Sequence, residues 1–259
     1  MRRLAVVAAA IDDDFRVAVK LARAAGFAGL QLDARLGSLD LTTLSQSGRR
    51  ELRSILRAGE LDFSSLRLDL GGKGLGPGAD IDAALDHIET MLQTAAGFQC
   101  PLVCVELGPL PAEKKDSQNL DAALSELGRR AERHGVAVAF GSELAGFGTL
   151  DRALREIPCP WFGIDLDPIA ILRDEWSNSE IFSRLGQLIR HVRGRDAIVG
   201  ADRRTKPMPV GHGSVDWRQL LSDLDSVGYQ GWITLDPLDL PNRRAAAAAG
   251  AVALRGYNL

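Results

Sequence analysis

The segment GIDLDPIAI, residues 163–171, places two aspartates at the end of an apolar run. Alternate residues of a strand share a face, so the side chains of Asp165 and Asp167 are expected to point the same way. Two neighbouring carboxylates are costly unless a positive group compensates them. The sequence leaves three candidates for that group: a metal ion, a bound substrate or an arginine from the next strand.

Charged side chains also stand at the ends of the other β-like segments. They are Asp33, Arg35, Arg67, Asp69, Glu106, Glu143, His191, Arg193 and Asp236. Taken singly, each is more simply explained as a rim residue paired with a neighbour, and His191 as a hydrogen-bonded structural imidazole. Their shared position at strand ends makes the group a candidate site.

Four further residues are candidate ligand contacts. The basic segment DRRTK (202–206) contains Arg203 and Lys206, which could neutralise a phosphate or carboxylate or simply belong to a solvated loop. His212 lies between two glycines and could reach a ligand. Trp176 offers a surface for stacking on a sugar, although a single tryptophan is more often part of a core.

The elements that must position these residues alternate regularly along the chain. The predicted strands are 4–10, 28–34, 62–70, 101–108, 136–141, 161–167, 188–194 and 231–236; the predicted helices are 15–26, 47–58, 80–97, 119–135, 149–156, 178–186, 216–228 and 241–255. Eight strand–helix pairs predict a single (β/α)8 TIM-barrel domain over residues 1–259, with its site at the C-terminal ends of the strands. The alternative, a doubly wound sheet, lacks a GxGxxG segment after the first strand.

Composition restricts the partners. The 259-residue chain has 34 acidic and 31 basic residues and a net charge of −3, which gives no general attraction to nucleic acid or anionic lipid. No window approaches the roughly 18 apolar residues needed to span a bilayer. The start, MRRLAVVAAAIDDD, has the order of a secretory signal, but the aspartates follow at once and a first strand is preferred. The three cysteines are expected to be free thiols of a cytoplasmic protein. The sequence leaves open whether the chain forms a homo-oligomer.

Two C-terminal segments resemble a known family. LIRHVRGRDA (188–197) and MPVGHGSVDWRQLLSDLDSVGYQGWITLDPLD (208–239) are similar to the xylose-isomerase-like barrels. These are sugar isomerases and epimerases, together with barrel-type endonucleases that cut at abasic sites. The shared features are a histidine-containing strand end, a glycine-x-glycine turn, an acidic–aromatic helix start, a GY.G segment and an acid after the last strand. LARAAGFAGLQLD (21–33) resembles the family's first helix and second strand.

The resemblance implies a divalent metal held by a glutamate, an aspartate, a histidine and a glutamate after strands five to eight. The corresponding residues here are Gly141, Asp167, Arg193 and Asp236, with Glu143 two positions late and His191 kept as the earlier histidine of its pattern. A guanidinium cannot ligate a metal because it stays protonated, and Arg193 is expected to pair with Asp167 instead. A Mn, Mg or Zn cofactor is therefore disfavoured, unless a register shift of strand five brings Glu143 inward.

Two functions follow from the resemblance. The first is a sugar or sugar-acid isomerase or epimerase that binds a small polyhydroxylated, in some cases anionic, ligand. Arg193 then replaces the metal charge beside Asp167, and Asp236 or Glu106 acts as base. The alternative is a catalytically inactive sugar- or metabolite-binding barrel, or a partner subunit. The nuclease function is disfavoured because it needs a histidine-rich metal cluster and a basic groove, and the chain has four scattered histidines.

Overall fold

Eight parallel strands close into a barrel in the computed structural model, which describes residues 3–110 and 118–257. With all strands numbered in chain order, the barrel contains β1 (Arg3–Val7), β2 (Gly29–Asp33), β5 (Asp62–Asp69), β6 (Leu102–Glu106), β7 (Ala137–Gly141), β8 (Phe162–Leu166), β9 (Ile189–Gly194) and β12 (Trp232–Leu235). They are neighbours in that order, and β12 pairs with β1 to close the barrel. The predicted (β/α)8 barrel is confirmed, and the doubly wound alternative is wrong.

Helices connect the barrel strands. They are α1 (Phe15–Ala24), α2 (Gln46–Ala58), α3 (Ile81–Phe98), α4 (Gln118–His134), α5 (Phe147–Glu156), α6 (Pro168–Arg173), α7 (Asn178–Leu185), α8 (Trp217–Ser226) and α9 (Arg243–Gly256). Several begin where a short polar side chain accepts a backbone N–H of the first turn, as Asp14, Asp80 and Asp216 do. Their apolar faces, such as Ile88 and Leu92 of α3, are buried against the barrel.

Two short hairpins and one short helix, α6, were not expected from the sequence pattern. The strands β3 (Arg35–Leu36) and β4 (Leu39–Asp40) form one hairpin, and β10 (Asp196–Val199) and β11 (Thr205–Met208) form the other. The second hairpin carries DRRTK in its turn and at the start of β11, so that segment belongs to a separate two-stranded sheet and not to a barrel strand. These strands of two to four residues are only partly buried and form no continuous apolar run, so the sequence gives no clear strand signal for them.

The barrel interior is polar near its C-terminal end. Cys104 on β6 and His191 on β9 are close neighbours although two strands separate them in the barrel, so their side chains meet inside it. Asp165 and Thr234 are buried there with them. Apolar side chains on the opposite faces of the same strands pack under the helices. Buried polar residues must be hydrogen-bonded, so this interior requires a specific network.

The first part of the N-terminal apolar run forms β1, which pairs with β12 and β2, as predicted, whereas Ala8–Ala10 of the expected strand form a 3-10 helix. Within the described ranges, no helix has the length and apolar character needed to cross a membrane. Cys100 and Cys104 are buried free thiols, and Cys159 is partly exposed and also free.

Candidate functional site

Three arginines and a larger set of carboxylates meet at the C-terminal ends of the barrel strands. We call this group the mouth cluster; it consists of Arg67, Arg193, Arg195, Asp33, Glu106, Glu143, Asp165, Asp167, Asp236 and Asp239. The strand register brings its members to similar levels along the barrel axis, because Asp69 of β5 is paired with Glu106 of β6, and Thr234 of β12 is paired with Arg193 of β9. The position agrees with the rule that barrel sites lie at this face.

Arg193 lies at the centre of the mouth cluster. Its Nε donates to Asp165 at 2.7 Å, its Nη1 to Glu143 at 3.1 Å and its Nη2 to Glu106 at 3.4 Å. Burial alone lowers the pKa of a guanidinium, but Asp165, Asp167 and Glu106 outweigh it and raise the pKa of Arg193. Arg193 is therefore a fixed buried cation, and its charge is shared among several carboxylates.

Asp167 contacts a different arginine from the one expected. Arg195, just beyond β9, donates to Asp167 at 2.6 Å, while Arg193 takes Asp165. The strand register does not dictate this pairing. Asp165 lies opposite His191, which sets Arg193 level with Asp167, yet each arginine bonds the aspartate two positions earlier in the chain. Asp167 also accepts the N–H of Ile169 and so begins α6. Both aspartates of the GIDLDPIAI segment are thus met by arginine, with the pairing shifted by two residues.

His191 is fixed within the barrel. Its Nδ1 lies 2.6 Å from Asp165 Oδ1 and its Nε2 lies 2.7 Å from the Thr234 hydroxyl. Burial disfavours the imidazolium, but the Cys104 sulfur and the Asp165 carboxylate raise the pKa of His191 to about 10. Both ring nitrogens are engaged, which agrees with a structural imidazole rather than a ligand contact.

Glu106 is the least compensated carboxylate of the mouth cluster. Burial raises its pKa to about 7; Arg193 offsets this in part, while Asp165 and Glu143 add to it. Its Oε1 is buried without a well-formed hydrogen bond among the described residues. A carboxyl that titrates near neutral pH can both accept and release a proton, as a general base requires.

Asp236 is held in a separate part of the mouth cluster. Arg67 donates to Asp236 at 3.0 Å and forms two bonds to Asp33, at 2.7 and 3.1 Å. These ion pairs keep both aspartates as acceptors of one planar guanidinium, a geometry that favours carboxylate recognition. Of the two predicted bases, Glu106 has the longer contact with its arginine, 3.4 Å against 3.0 Å for Asp236, and is therefore less tightly held.

A cavity of about 330 Å³ opens over the mouth cluster. It is lined by Arg67, Leu68, Asp69, Gly71, Gly72, Glu106, Glu143, Leu144, Arg193, Arg195, Asp236, Leu238 and Asp239. The glycine-rich segment after β5 thus contributes Gly71 and Gly72 to the wall. Its size suits a small polar molecule, and charged side chains dominate the lining.

The sequence profile of one family, described as "Xylose isomerase-like TIM barrel", matches residues 19–256. The chain belongs to this family. No curated protein matches the sequence. The family membership confirms the resemblance seen in the C-terminal segments.

Solved structures with the same fold share little sequence identity with the chain. A xylose isomerase domain protein from Planctomyces limnophilus superposes with a TM-score of 0.83 at 17% identity, covering 99% of this chain and 96% of that one. A probable 3-DHS dehydratase from Bacillus anthracis gives 0.80 at 16%, covering 97% and 98%. D-psicose 3-epimerase from Clostridium cellulolyticum H10, solved with D-tagatose, gives 0.77 at 15%, covering 98% and 99%. These similarities establish the fold alone.

The residues at the four metal positions expected for this xylose isomerase-like barrel do not fit a metal site of that kind. A Cβ built on Gly141 would lie 2.2 Å from Glu106 Oε2 and 3.0 Å from Arg193 Nη2. The space of the strand-five ligand is therefore occupied by the Glu106–Arg193 pair. Asp167 pairs with Arg195, and Asp236 pairs with Arg67. Glu143 bridges Arg193 and Arg195 and does not form a shared ligand set with the two aspartates.

A different trio has metal-ligating side-chain types. Cys104, Asp165 and His191 are the one such group in the described ranges whose ligand atoms all lie within 4.8 Å of one another. Both Asp165 oxygens and both His191 nitrogens already make hydrogen bonds, and burial raises the pKa of the Cys104 thiol. A metal binds through free lone pairs and prefers a cysteine in the thiolate form. We therefore interpret this trio as an internal hydrogen-bond network.

Four predicted ligand contacts lie away from the cavity lining. Trp176 packs against the Phe147 ring of α5, with 5.4 Å between centroids. Arg203 pairs with Glu175 at 2.6 Å, and Lys206 is exposed on β11. His212 is exposed in its turn. These residues are not brought together with Asp167, Arg193, Asp236, Glu106, Glu143 and His191, whose catalytic or ligand-binding roles stay predictions.

Sequence reasoning missed Arg195 and Asp239 and the purpose of the glycine-x-glycine turn. Arg195 continues the alternation of His191 and Arg193, and that spacing was the available signal.

Asp196 points the other way and accepts the backbone N–H groups of Gly211, Gly213 and Val215 at 2.9–3.1 Å. A side chain on Gly213 would meet Asp196 at 2.1 Å, which explains the glycine. This motif fixes a loop; it does not contact the cavity.

Proposed function

We propose that this xylose isomerase-like barrel moves a proton on a carbon next to a carbonyl group in a small polyhydroxylated ligand, as an isomerase or epimerase, without a divalent metal. The ligand would occupy the cavity of about 330 Å³. The proposal includes the predicted cytoplasmic location and a single domain, and it needs no nucleic acid or membrane partner.

One observation carries the proposal: a carboxyl with a pKa near 7 lies beside a permanent cation in the same cavity. Glu106 Oε2 and Arg193 Nη2 are 3.4 Å apart, and the family resemblance implies that Arg193 takes the place of a histidine ligand. A base whose pKa is close to the working pH transfers protons efficiently. A preorganised cation stabilises the negative oxygen that forms as the proton leaves.

In the proposed step, the Glu106 carboxylate removes the proton from carbon and becomes neutral. The electron pair moves onto the carbonyl oxygen, which Arg193 Nη2 stabilises as an enolate. Return of the proton to the former carbonyl carbon, while the hydroxyl proton of the adjacent carbon moves to the former carbonyl oxygen, gives an isomer. Delivery of a proton from solvent to the opposite face of the original carbon, with release of the Glu106 proton to solvent, gives an epimer. The weakest of the three bonds made by Arg193 is the one to Glu106, so it is the one most easily exchanged for a ligand oxygen.

The test is proton exchange in heavy water. Protein treated with a chelator is incubated with a panel of ketoses and sugar acids, and loss of the proton signal next to the carbonyl is followed by NMR. Exchange is expected without added metal and is expected to fall at least about 100-fold in Glu106→Gln, because general-base catalysis contributes that much. Glu126→Gln, on the outer helix α4, removes the same charge and is expected to leave exchange unchanged. Exchange that requires manganese, or that survives in Glu106→Gln, would contradict the proposal.

A second candidate is a binding barrel without turnover, such as a sensor or partner subunit. It is favoured by the saturation of the mouth arginines: each of Arg67, Arg193 and Arg195 already pairs with at least two carboxylates of the chain. Thermal-shift binding of a panel ligand, combined with no exchange in the NMR assay, would favour this candidate over the enzyme.

A further inference from the structure

Glu143 makes an unusual contact at the cavity wall. A single oxygen, Oε2, accepts from Arg193 Nη1 at 3.1 Å and lies 2.8 Å from Arg195 Nη1. The two guanidiniums therefore converge on one carboxylate oxygen supplied by the loop between β7 and α5. Convergent arginines are a typical arrangement for binding a carboxylate, whether it belongs to the chain or to a ligand.

Glu143 is also the most exposed of the acids that pair with Arg193. Asp165 additionally bonds His191, and Asp167 additionally begins α6. The Glu143 carboxylate makes no further hydrogen bond or ion pair within the described part of the chain. Its side chain is 35% exposed, against 12% for Glu106 and at most 1% for the two aspartates. Arg173 holds the backbone carbonyl of Glu143, so rotation of the side chain alone would free the arginines.

The charge balance restricts what could replace Glu143. Arg193 and Arg195 together pair with Glu106, Glu143, Asp165, Asp167 and Asp239, which makes five carboxylates against two guanidiniums. Despite partial burial, Arg195 and Arg193 lower the pKa of Glu143, so it is present as an anion. Exchange for another monoanion preserves this balance. A dianionic phosphate would add a negative charge to a buried site that already has an excess.

We propose that Glu143 is an internal placeholder for a ligand carboxylate, and that the ligand of the proposed reaction is a keto sugar acid. The ligand carboxylate would displace Glu143 and bind Arg193 Nη1 and Arg195 Nη1. Arg193 Nη2, which contacts Glu106, would then face the carbonyl oxygen. Because one guanidinium serves both groups, the carboxylate and the carbonyl must be adjacent in the ligand. This inference rests on the proposed function and names its substrate class.

Three matched probes test the inference. 2-Keto-D-gluconate and D-fructose differ in having a carboxylate or a hydroxymethyl group at carbon 1, and D-fructose 1-phosphate carries a phosphate there. Their dissociation constants are measured by calorimetry for the unmodified protein, Glu143→Gln and Glu143→Ala. Asp239→Asn is the matched control, since it removes one negative charge from the same Arg195 without affecting the bridge to Arg193.

Removal of the placeholder is expected to strengthen binding. Both Glu143 variants should bind 2-keto-D-gluconate at least about tenfold more tightly, because a competing charge at contact distance is gone. D-Fructose should change by less than about twofold, and Asp239→Asn should gain about threefold or less, because an exposed rim charge contributes little. Agreement of the two Glu143 variants, with unchanged circular dichroism spectra, excludes a folding artefact.

Four results would overturn the inference: weaker or unchanged binding of 2-keto-D-gluconate in the Glu143 variants, equal tightening of D-fructose, equal tightening in Asp239→Asn, or preferential binding of D-fructose 1-phosphate. Its failure can be separated from failure of the proposed function. Metal-free exchange on D-fructose with no preference for the acid would leave the proposed function standing without this inference. Tight binding of 2-keto-D-gluconate by Glu143→Gln without exchange would do the reverse.

Discussion

The two ends of the barrel use similar residues with opposite results. At the N-terminal end, Arg3 pairs with Asp62 at 3.4 Å and lies over the Trp232 ring at 4.1 Å, beside an open groove of about 260 Å³. At the C-terminal end, Arg193 pairs with three carboxylates. Arginine, acid and a nearby cavity are present in both places, so residue type alone does not identify the site.

Burial makes the difference. The side chains of Arg3 and Asp62 are 53% and 69% exposed, whereas those of Arg193 and Asp165 are 9% and 1% exposed. Water screens the first pair and leaves it nearly independent of its surroundings. The second pair is desolvated, so every charge near it shifts the pKa values of the others. A site that must tune a proton acceptor near neutral pH requires the second environment.

The largest expected effect contrasts these two arginines directly. Arg193→Ala leaves Asp165 as a buried carboxylate without its main partner, which should lower the free energy of unfolding by about 3–5 kcal/mol. Arg3→Ala should lower it by about 1 kcal/mol or less, since it removes an exposed ion pair and an exposed ring contact. Urea denaturation of both variants measures the difference. Equal losses in the two variants would show that burial does not separate the ends of the barrel.

The next effect is a gain in stability. The pKa of Glu106 is raised from 4.5 to about 7, so the folded state prefers the protonated form. The penalty for ionising Glu106 is absent below pH 4.5, grows as the pH rises and is complete above pH 7. Glu106→Gln cannot ionise, and should therefore be more stable than the unmodified protein by up to about 3 kcal/mol above pH 7, and equal to it near pH 4.

The matched control for this prediction has the opposite sign. A hydrogen bond from Arg130 lowers the pKa of Glu126, so Glu126→Gln should lose a little stability at neutral pH and gain none. Thermal melts of both variants between pH 4 and pH 8.5 give the comparison. If Glu106→Gln were less stable than the unmodified protein at pH 8, the charge of Glu106 would have to be stabilised by its neighbours in the folded protein, against this prediction.

A smaller effect is expected from one methyl group in the mouth cluster. Gly141→Ala places a Cβ against Glu106 Oε2, and the Glu106 carboxyl must shift; because it is the end of a flexible side chain, the cost should be about 1 kcal/mol, at the low end for overpacking. Proton exchange should fall by about tenfold or more, since loss of positioning is costly for catalysis. Gly148→Ala, in α5 with open space around it, should be neutral or stabilising. If the two alanine variants behave alike, the Glu106–Arg193 pair does not occupy the space above Gly141.

The fold was predictable because the barrel strands and helices are long enough to show their patterns. β8 was expected at 161–167 and lies at Phe162–Leu166, and α3 was expected at 80–97 and lies at Ile81–Phe98. Parallel strands buried on both faces read as apolar runs, and the charged residues just beyond them identify the C-terminal ends. The hairpin of β10 and β11 gave no such signal, because its strands, DAIV and TKPM, are only partly buried and are not continuous apolar runs.

The site was predictable in position and less so in its pairings. That Glu106, Glu143 and Arg193 share one face follows from strand order. Arg193 bonds Asp165 and not Asp167, although the register of β8 with β9 puts Asp165 opposite His191 and Arg193 two positions further along. Such a shift leaves no mark in a single sequence, because the side-chain alternation on each strand is unchanged. Burial, which sets the pKa of Glu106, is likewise a property of the closed barrel.

The smallest expected effect concerns the hairpin whose basic segment the sequence left open as either an anion-binding loop or a solvated loop. Arg203 pairs with Glu175 and donates to the Arg173 carbonyl, and Lys206 is exposed on β11. Because neither lines the cavity over the mouth cluster, Arg203→Ala and Lys206→Ala should change 2-keto-D-gluconate binding by less than about twofold and stability by about 0.5 kcal/mol or less. A tenfold loss of affinity in either variant would mean that the hairpin closes over the cavity when ligand binds. The basic turn would then belong to the site, and the division between a buried, tuned cluster and exposed, independent charges would have to be redrawn to include it.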